Sequence, residues 1–321
     1  MNNHSIAVVY HGGCNDGIAS AWAAWRTLGD KAEYIPWYYG DPVPQADGKV
    51  VIMVDISPTP KEVEEIRSTA KALMIVDHHD SSVRLLEGLP CGITSFNDFM
   101  DVVNRESGVD VPVYLYADKS RSGAVLSWMF FNNVTGVLDS DIDANGHIPE
   151  ALLLIEDYDL FVKQLVDTVP FNEWLASTGR YIDNFDRHVN PDGTPDTESL
   201  HIGRALVKKT TGIVRDIMRN YVRLIDWRGY KVAVVNGPSH VRNEVSEEIM
   251  KKHHDVDFVM VYQIRSAKVV VSLRGRDKRI NMGVIAGEFG GGGHEDAAAF
   301  SINLDDQKLM DALGISGPGF S

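Results

Sequence analysis

The stretch Lys71-Ala-Leu-Met-Ile-Val-Asp-His-His-Asp-Ser81 decides how the rest of the chain is read. It begins as an apolar run of strand length and stops on two adjacent imidazoles flanked by carboxylates, Asp77-His78-His79-Asp80. Neighbouring side chains on extended or tightly turning backbone point in different directions. His78 and His79 are therefore expected to divide the work, one facing a metal and the other a substrate. Asp77 or Asp80 is placed to hold an imidazole in its working tautomer.

Two upstream segments have the same form. Ser5-Ile-Ala-Val-Val-Tyr10 reads as a buried strand running into His11-Gly-Gly-Cys14-Asn15-Asp16-Gly17, and Lys49-Val-Val-Ile-Met-Val54 as another running into Asp55-Ile-Ser-Pro58. Glu33-Tyr-Ile-Pro-Trp37 is a further strand candidate, and residues 18–25 and 61–70 carry helical spacing. Strand and helix in alternation imply a parallel α/β sheet, in which ligands bind beyond the carboxyl ends of the strands. The clusters at His11, Asp55 and Asp77 all fall there.

Farther along, residues 120–131 open with serines and continue as an apolar helix, and Pro149 opens a helix over 150–155 that reaches Glu156-Asp157-Tyr158-Asp159. Residues 183–199 are rich in Asp, Asn, Pro and Gly and read as a surface loop; residues 202–226 read as one long amphipathic helix. From Trp227 the texture changes to strands over 231–235, 258–262 and 268–273, then a helix over 282–289 and the run Gly290-Gly291-Gly292-Gly293-His294. The expected organisation is a catalytic domain over 1–200, a helical connector over 201–226 and a smaller α/β domain over 227–321.

The chain has 321 residues, enough for two cores. Its 44% hydrophobic and 24% charged content is that of a globular protein. No apolar run reaches membrane-spanning length and the N-terminus lacks a basic segment followed by an apolar core, so a cytoplasmic protein without a membrane partner is expected. Two cysteines, Cys14 and Cys91, provide no disulfide framework. A net charge of −14 argues against coating long duplex nucleic acid. It is compatible with a small anionic substrate received through bound cations.

His11, Asp16, Asp55, His78 and an aspartate near 157 form a mixed imidazole and carboxylate donor set from separate segments. Such a set suits Mn, Fe, Co, Zn or Mg, and the dominance of carboxylate favours Mn or Mg. An aspartate between two clusters can bridge two ions about 3.5–4 Å apart, and Asp55 is the candidate. Each residue also has a plain structural role open to it: Asp55 as a helix cap, Asp16-Gly17 as a turn, His11 as a satisfied buried histidine. Their coincidence at strand ends favours the metal reading. In the C-terminal part, Gly290, Gly291, Gly292 and Gly293 can turn backbone N–H groups toward a phosphate. Arg274 and Arg276, just after a strand, are natural phosphate clamps, and His294 closes the run beside them.

The combination of His11…Asp16-Gly17, Val54-Asp55-Ile-Ser, Val76-Asp77-His78-His79 and Val271-Ser-Leu-Arg274…Phe289-Gly-Gly-Gly-Gly293-His294…Ala297-Ala-Ala resembles the DHH phosphoesterase superfamily. The C-terminal part resembles the DHH-associated domain that accompanies it in nano-RNases, cyclic dinucleotide phosphodiesterases and RecJ-type exonucleases. The resemblance implies two Mn²⁺ ions, with Mg²⁺ or Co²⁺ as alternatives, and substrate in a cleft between the domains. It implies that His11 and Asp55 hold one ion and that Asp16, Asp55, His78 and Asp157 hold the other. It places His79, supported by Asp77, at the scissile phosphate or leaving group, and Arg274 with residues 290–294 on the far side of the substrate. Cys14 stands where the family has an aspartate, either as a thiolate ligand or beside a position left to water. Asp157 and Asp159 both remain available as the last ligand, and Asp157 is preferred because it directly follows the apolar run. The implied activity is Mn-dependent hydrolysis of short RNA or DNA oligonucleotides or of a cyclic dinucleotide by a two-metal-activated water. The alternatives are a 3′-phosphoadenosine phosphate phosphatase, a single-strand exonuclease or an impaired nucleotide-binding protein. Family members are often dimers, which makes a homodimer the expected assembly.

Overall fold

The computed structural model describes residues 4–79, 84–105, 111–134 and 148–306, together with 308 and 313. Asp80, one of the two carboxylates considered as an imidazole partner, lies outside the described residues. The chain divides into two compact units, Met1–Val207 and Lys208–Ser321.

The first unit is built on a parallel five-stranded sheet of β1 (Ile6–His11), β2 (Ala32–Trp37), β3 (Val50–Val54), β4 (Ala72–Asp77) and β5 (Val113–Ala117), in the order β2-β1-β3-β4-β5. Continuous apolar strands arise because both faces are covered. Val50, Ile52 and Val54 join one core with Val8, Met74 and Val76, while Val51 and Met53 join another with Val9, Leu73 and Ile75. Each buried branched side chain contributes about 1.5–3 kcal/mol of transfer free energy. The helices described in this unit include α1 (Asn15–Leu28), α2 (Pro60–Arg67), α3 (Phe96–Arg105), α4 (Gly123–Phe131), α5 (Glu150–Asp159), α6 (Thr168–Ser177) and α7 (Ile182–Arg187). Among them α2 has a complete capping box between Thr59 and Glu62.

The structure corrects the reading of residues 183–199 as a loop, since α7 occupies their start. Phe185 is the reason: it is fully buried, with its ring 5.2 Å from that of Trp22 and 5.8 Å from that of Phe171. One apolar anchor outweighs the polar composition around it.

A long helix, α8 (Thr197–Asn220), precedes a six-stranded mixed sheet in the order β10-β11-β9-β8-β7-β6. Its strands are β6 (Val222–Trp227), β7 (Tyr230–Asn236), β8 (Phe258–Arg265), β9 (Lys268–Gly275), β10 (Gly292–Gly293) and β11 (Ala297–Asn303). The expectation of helix through residue 226 is therefore corrected. Arg228 and Gly229 both take positive φ, 51° and 86°, the signature of a two-residue hairpin turn. That turn pairs Trp227 with Tyr230 and makes 222–227 a strand. One face of this sheet packs with Met282 and Ile285 of α10 (Met282–Gly287), which stops two residues short of the expected 289. The other face packs with Val214 and Ile217 of α8 and with Val245 and Ile249 of α9 (Arg242–Lys252). Among the described residues no helix is long and apolar enough to cross a membrane.

Candidate metal centre

Strand register builds the site. Tyr10 is level with Val54, and Val54 with Val76. The next residue of each strand, His11, Asp55 and Asp77, therefore falls on one row at the carboxyl edge of the sheet. Asp55 leaves its strand with φ 57°, a left-handed conformation that aspartate tolerates better than most residues. Its backbone N–H still donates to Val76 O at 3.0 Å.

The Asp55 carboxylate is buried and looks two ways. Oδ2 lies 3.1 Å from Cys14 Sγ and 3.6 Å from His11 Nδ1. Oδ1 lies 3.3 Å from His78 Nε2, which is itself 3.5 Å from both Asp16 Oδ2 and Asp159 Oδ2. Three overlapping groups result: His11, Cys14 and Asp55; Asp16, His78 and Asp159; and Asp55, Asp77, His78 and His79.

Asp16 sits in the first turn of α1, where Gly17 lets the helix abut the strand end; a Cβ there would lie 2.0 Å from His11 O. Its carboxylate accepts from Gly123 N at 2.7 Å and Ala124 N at 3.0 Å, so it also closes the N-terminus of α4. Gly123 is tightly constrained in turn. A Cβ on it would stand 2.6 Å from Asp55 Oδ1 and 2.9 Å from Asp16 Oδ2.

Burial, then the negative charges of Asp55 and Asp159, push the Asp16 carboxyl well above its ordinary range. Burial and Asp55 push Asp159 the same way. Burial pushes Asp55 upward as well, but His11 and His78 outweigh it and hold the group below the ordinary carboxylate range. Burial, with Asp55 and Asp16, raises the Cys14 thiol and keeps it protonated; its sulfur accepts from Gly17 N and caps α1. Carboxylates crowded this closely around one imidazole nitrogen call for positive charge.

The donor set fits a divalent cation. Asp55 Oδ1 and His78 Nε2 are both buried without a hydrogen-bond partner, and they face each other. Orphaned polar atoms at such a point are expensive unless something satisfies them. Imidazole with carboxylate suits Mn or Mg, and the thiol at Cys14 adds a third donor type on the His11 side.

Asp77 lies beneath the two histidines. It is completely buried; Oδ1 accepts from His78 N (2.7 Å), His79 N (3.3 Å) and the His79 ring at Nδ1 (2.8 Å), and Oδ2 from Ser57 Oγ at 2.5 Å. These bonds tie Asp77 to both histidines and hold the His79 ring. The bond from Asp77 is the main cause that raises the His79 pKa to about 9, against the opposing effect of burial.

The structure also corrects Asp157. Its carboxylate accepts from Gln164 N, Leu165 N and the Thr168 hydroxyl, and so anchors the loop after α5. Asp159 is the residue brought to His78. The two lie two positions apart on a helix, about 200° around its axis, so only one can face the cluster.

In the second unit the expected clamp Arg276 is spent on structure. It donates to the carbonyls of Met250, His253 and Val256, closing the C-terminal end of α9. Arg274 is half-buried and bound to Asn243 Oδ1 and to Leu273 O. Gly292 and Gly293 form the edge strand beside β11, and a Cβ on Gly291 or Gly293 would collide with that strand at 2.2 Å and 2.4 Å. Close backbone packing thus accounts for two of the four glycines, while Gly290 turns the chain with φ 75° and Gly292 and His294 are exposed. Ser57, Gly123 and Asp159 are the site residues the sequence left in the background. Ser57 and Gly123 stand in the Asp-Ile-Ser and Ser-Gly segments after strand ends, which is the signal that points to them.

Residues 229–314 match the DHHA1 domain family. An uncharacterized protein of Acanthamoeba polyphaga mimivirus is 23% identical over 347 aligned positions, covering 97% of this chain and 73% of that protein. Among solved structures, the DHH domain of a protein assigned to a family of ribosomal proteins shares the fold at 13% identity and a TM-score of 0.54, covering 97% of this chain and 85% of that one. RecJ from Thermus thermophilus, solved with Mn²⁺, shares it at 15% identity and a TM-score of 0.51, covering 97% of this chain and 51% of that one.

Proposed function

We propose, from the match of residues 229–314 to the DHHA1 domain family and the fold shared with DHH-domain proteins, that this chain is a DHH-type metal-dependent phosphoesterase cleaving the phosphodiester bonds of short oligonucleotides or cyclic dinucleotides. The observation that carries the reading is the Asp55 carboxylate. It lies between a His11–Cys14 face and a His78–Asp16–Asp159 face, with Oδ1 and His78 Nε2 buried 3.3 Å apart and neither in a hydrogen bond among the described residues.

His11, Cys14 and Asp55 would hold one divalent cation, Mn²⁺ for preference, and Asp16, Asp55, His78 and Asp159 a second. Such cations supply Lewis acidity toward a phosphoryl oxygen and toward water. The chain's own residues do the rest. Asp77 takes the Nδ1 proton of His79 in a hydrogen bond and fixes the ring, leaving Nε2 to meet the substrate. The bond from Asp77 favours the protonated His79 ring, which can give its proton to the departing ribose oxygen. Asp16, bonded to the first amides of α4, keeps its carboxylate in place without an ion. Arg274 and the exposed His294 are proposed to bind phosphate.

The test is hydrolysis, with Mn²⁺ added, of an RNA dinucleotide and pentanucleotide, cyclic di-AMP, cyclic di-GMP, 3′-phosphoadenosine phosphate and pyrophosphate, beside an Asp55→Asn variant. Cleavage of a phosphodiester that the variant abolishes supports the proposal. Cleavage of 3′-phosphoadenosine phosphate alone replaces it with a phosphomonoesterase. A second reading rests on Cys14, a protonated thiol wedged between His11 and Asp55: a protein that captures nucleotides without turning them over. Tight nucleotide binding with no cleavage of any compound selects that reading.

A further inference from the structure

We propose that a cavity beside the metal centre binds a second phosphate of the substrate, and that Arg180 pairs with it. This rests on the phosphoesterase reading and extends it to substrate choice. The cavity has a volume of about 230 Å³ and lies within the first unit. Cys14, Asp16 and Asp159 of the metal centre line it together with Asn172, Glu173 and Arg180. A single water needs only about 10–15 Å³ of such volume, so the space suits a group of several heavy atoms.

A chain of hydrogen bonds holds Arg180 at the edge of this space. Asn172 is buried and spends both amide hydrogens on the carbonyls of Leu154 and Thr168. Its Oδ1 therefore faces outward and accepts from Asn15 Nδ2 at 3.0 Å. Asn15 in turn presents its own Oδ1 to Arg180 Nε at 2.9 Å. With every amide orientation dictated by the next, the guanidinium is fixed through Nε. Among the described residues neither Nη of Arg180 has a partner, and Arg180 forms no ion pair. Arg180 follows Gly179 in a left-handed backbone, φ 56° after 84°, a conformation that non-glycine residues hold only when surroundings enforce it.

A guanidinium held at Nε offers its two remaining nitrogens as a fork, the geometry that matches a phosphate edge. The acids in the wall do not oppose this in the loaded site. Asp16 and Asp159 are proposed cation ligands, so their charge is met by the ions they would hold. A substrate whose scissile phosphate sits at the metal centre would place a neighbouring phosphate within this cavity. The occupant is thus a phosphate one nucleotide removed from the cleaved bond, or a terminal phosphate of a dinucleotide.

Three dinucleotides test the assignment: one with a 5′-terminal phosphate, one with a 3′-terminal phosphate and one with neither. The ratio of kcat/KM with and without the extra phosphate is measured for the wild type and for Arg180→Gln and Arg180→Lys, with thermal melting and bound-metal content as folding controls. The wild type is expected to favour one phosphorylated form by about tenfold to a hundredfold. Arg180→Gln is expected to bring that ratio near one, and Arg180→Lys to leave an intermediate value. No preference in the wild type, or an unchanged ratio in Arg180→Gln, overturns the assignment while the phosphoesterase reading stands. If none of the three linear dinucleotides is cleaved, binding replaces turnover as the readout. Titration of wild type and Arg180→Gln with adenosine 3′,5′-bisphosphate and with AMP then decides the cavity. A preference for the bisphosphate that the variant loses supports it, and equal binding refutes it.

Discussion

Replacing Gly123 by alanine tests whether Asp55 and Asp16 are held by steric fit. The added methyl would stand 2.6 Å from both Cβ and Oδ1 of Asp55 and 2.9 Å from Asp16 Oδ2. Unstrained contacts between such atoms lie near 3.5 Å, so the carboxylates must retreat by roughly 0.5–1 Å or the start of α4 must move. Neither neighbour is a flexible tip: Asp55 is fixed at a strand end, and Asp16 by two backbone amides. Overpacking of this kind costs about 1–3 kcal/mol, and a displacement near 1 Å at reacting groups costs on the order of a hundredfold in rate. Gly212→Ala is the matched control, because that glycine lies inside α8 with nothing within 4 Å. There the same methyl should stabilise by about 0.5–1 kcal/mol. Urea unfolding, calorimetric titration with Mn²⁺ and phosphodiester turnover give the three readouts. Gly123→Ala should unfold earlier, bind ions at least tenfold more weakly and lose about two orders of magnitude in kcat/KM. Normal ion affinity and turnover in that variant would refute the fixed-carboxylate account.

Three further outcomes follow from the same geometry. Asp159→Asn should lower Mn²⁺ affinity with little effect on unfolding, whereas Asp157→Asn should lower stability by about 1–3 kcal/mol with bound metal unchanged; metal analysis beside urea curves separates them. Asp77→Asn should reduce kcat by about tenfold to a hundredfold and shift the pH profile set by His79, without loss of metal, as read from kinetics across pH. Removing divalent ions with a chelator should lower the melting temperature of the first unit, since ions at a hundred times their Kd add about 2.7 kcal/mol, and adding Mn²⁺ back should restore it.

Much of this site was legible because strand endings announce themselves. His11, Asp55 and Asp77 each close an apolar run, and a parallel sheet brings such endings to one edge. What a single sequence withholds is angular phase and competition for donors. Asp157 and Asp159 differ by a turn angle that only the packing of α5 fixes, and the apolar run before them favours neither. Arg276 has the composition and place of an anion clamp, yet three carbonyls at and just beyond the end of α9 claim it first. The strand at 222–227 was hidden because its alternation is short and its defining turn, Arg228-Gly229, depends on backbone angles rather than side-chain pattern. Arg180 gives no local signal at all; its role rests on two asparagines, one 165 and one 8 positions away, that meet only in the fold.

The two faces of Asp55 are not chemical equals. On one side stand an imidazole and a thiol, on the other an imidazole and two carboxylates. The first face carries less negative charge and offers a polarisable sulfur; the second is a hard, oxygen-rich nest. Ions sort themselves by such contrasts, with soft and borderline metals gaining on sulfur and hard ones on oxygen. A protein drawing from a mixed pool of cations would then load its two positions unequally, with Zn²⁺ or Co²⁺ drawn toward Cys14 and Mn²⁺ or Mg²⁺ toward Asp16 and Asp159. The composition of the medium, as much as the fold, would set which form of the centre is present.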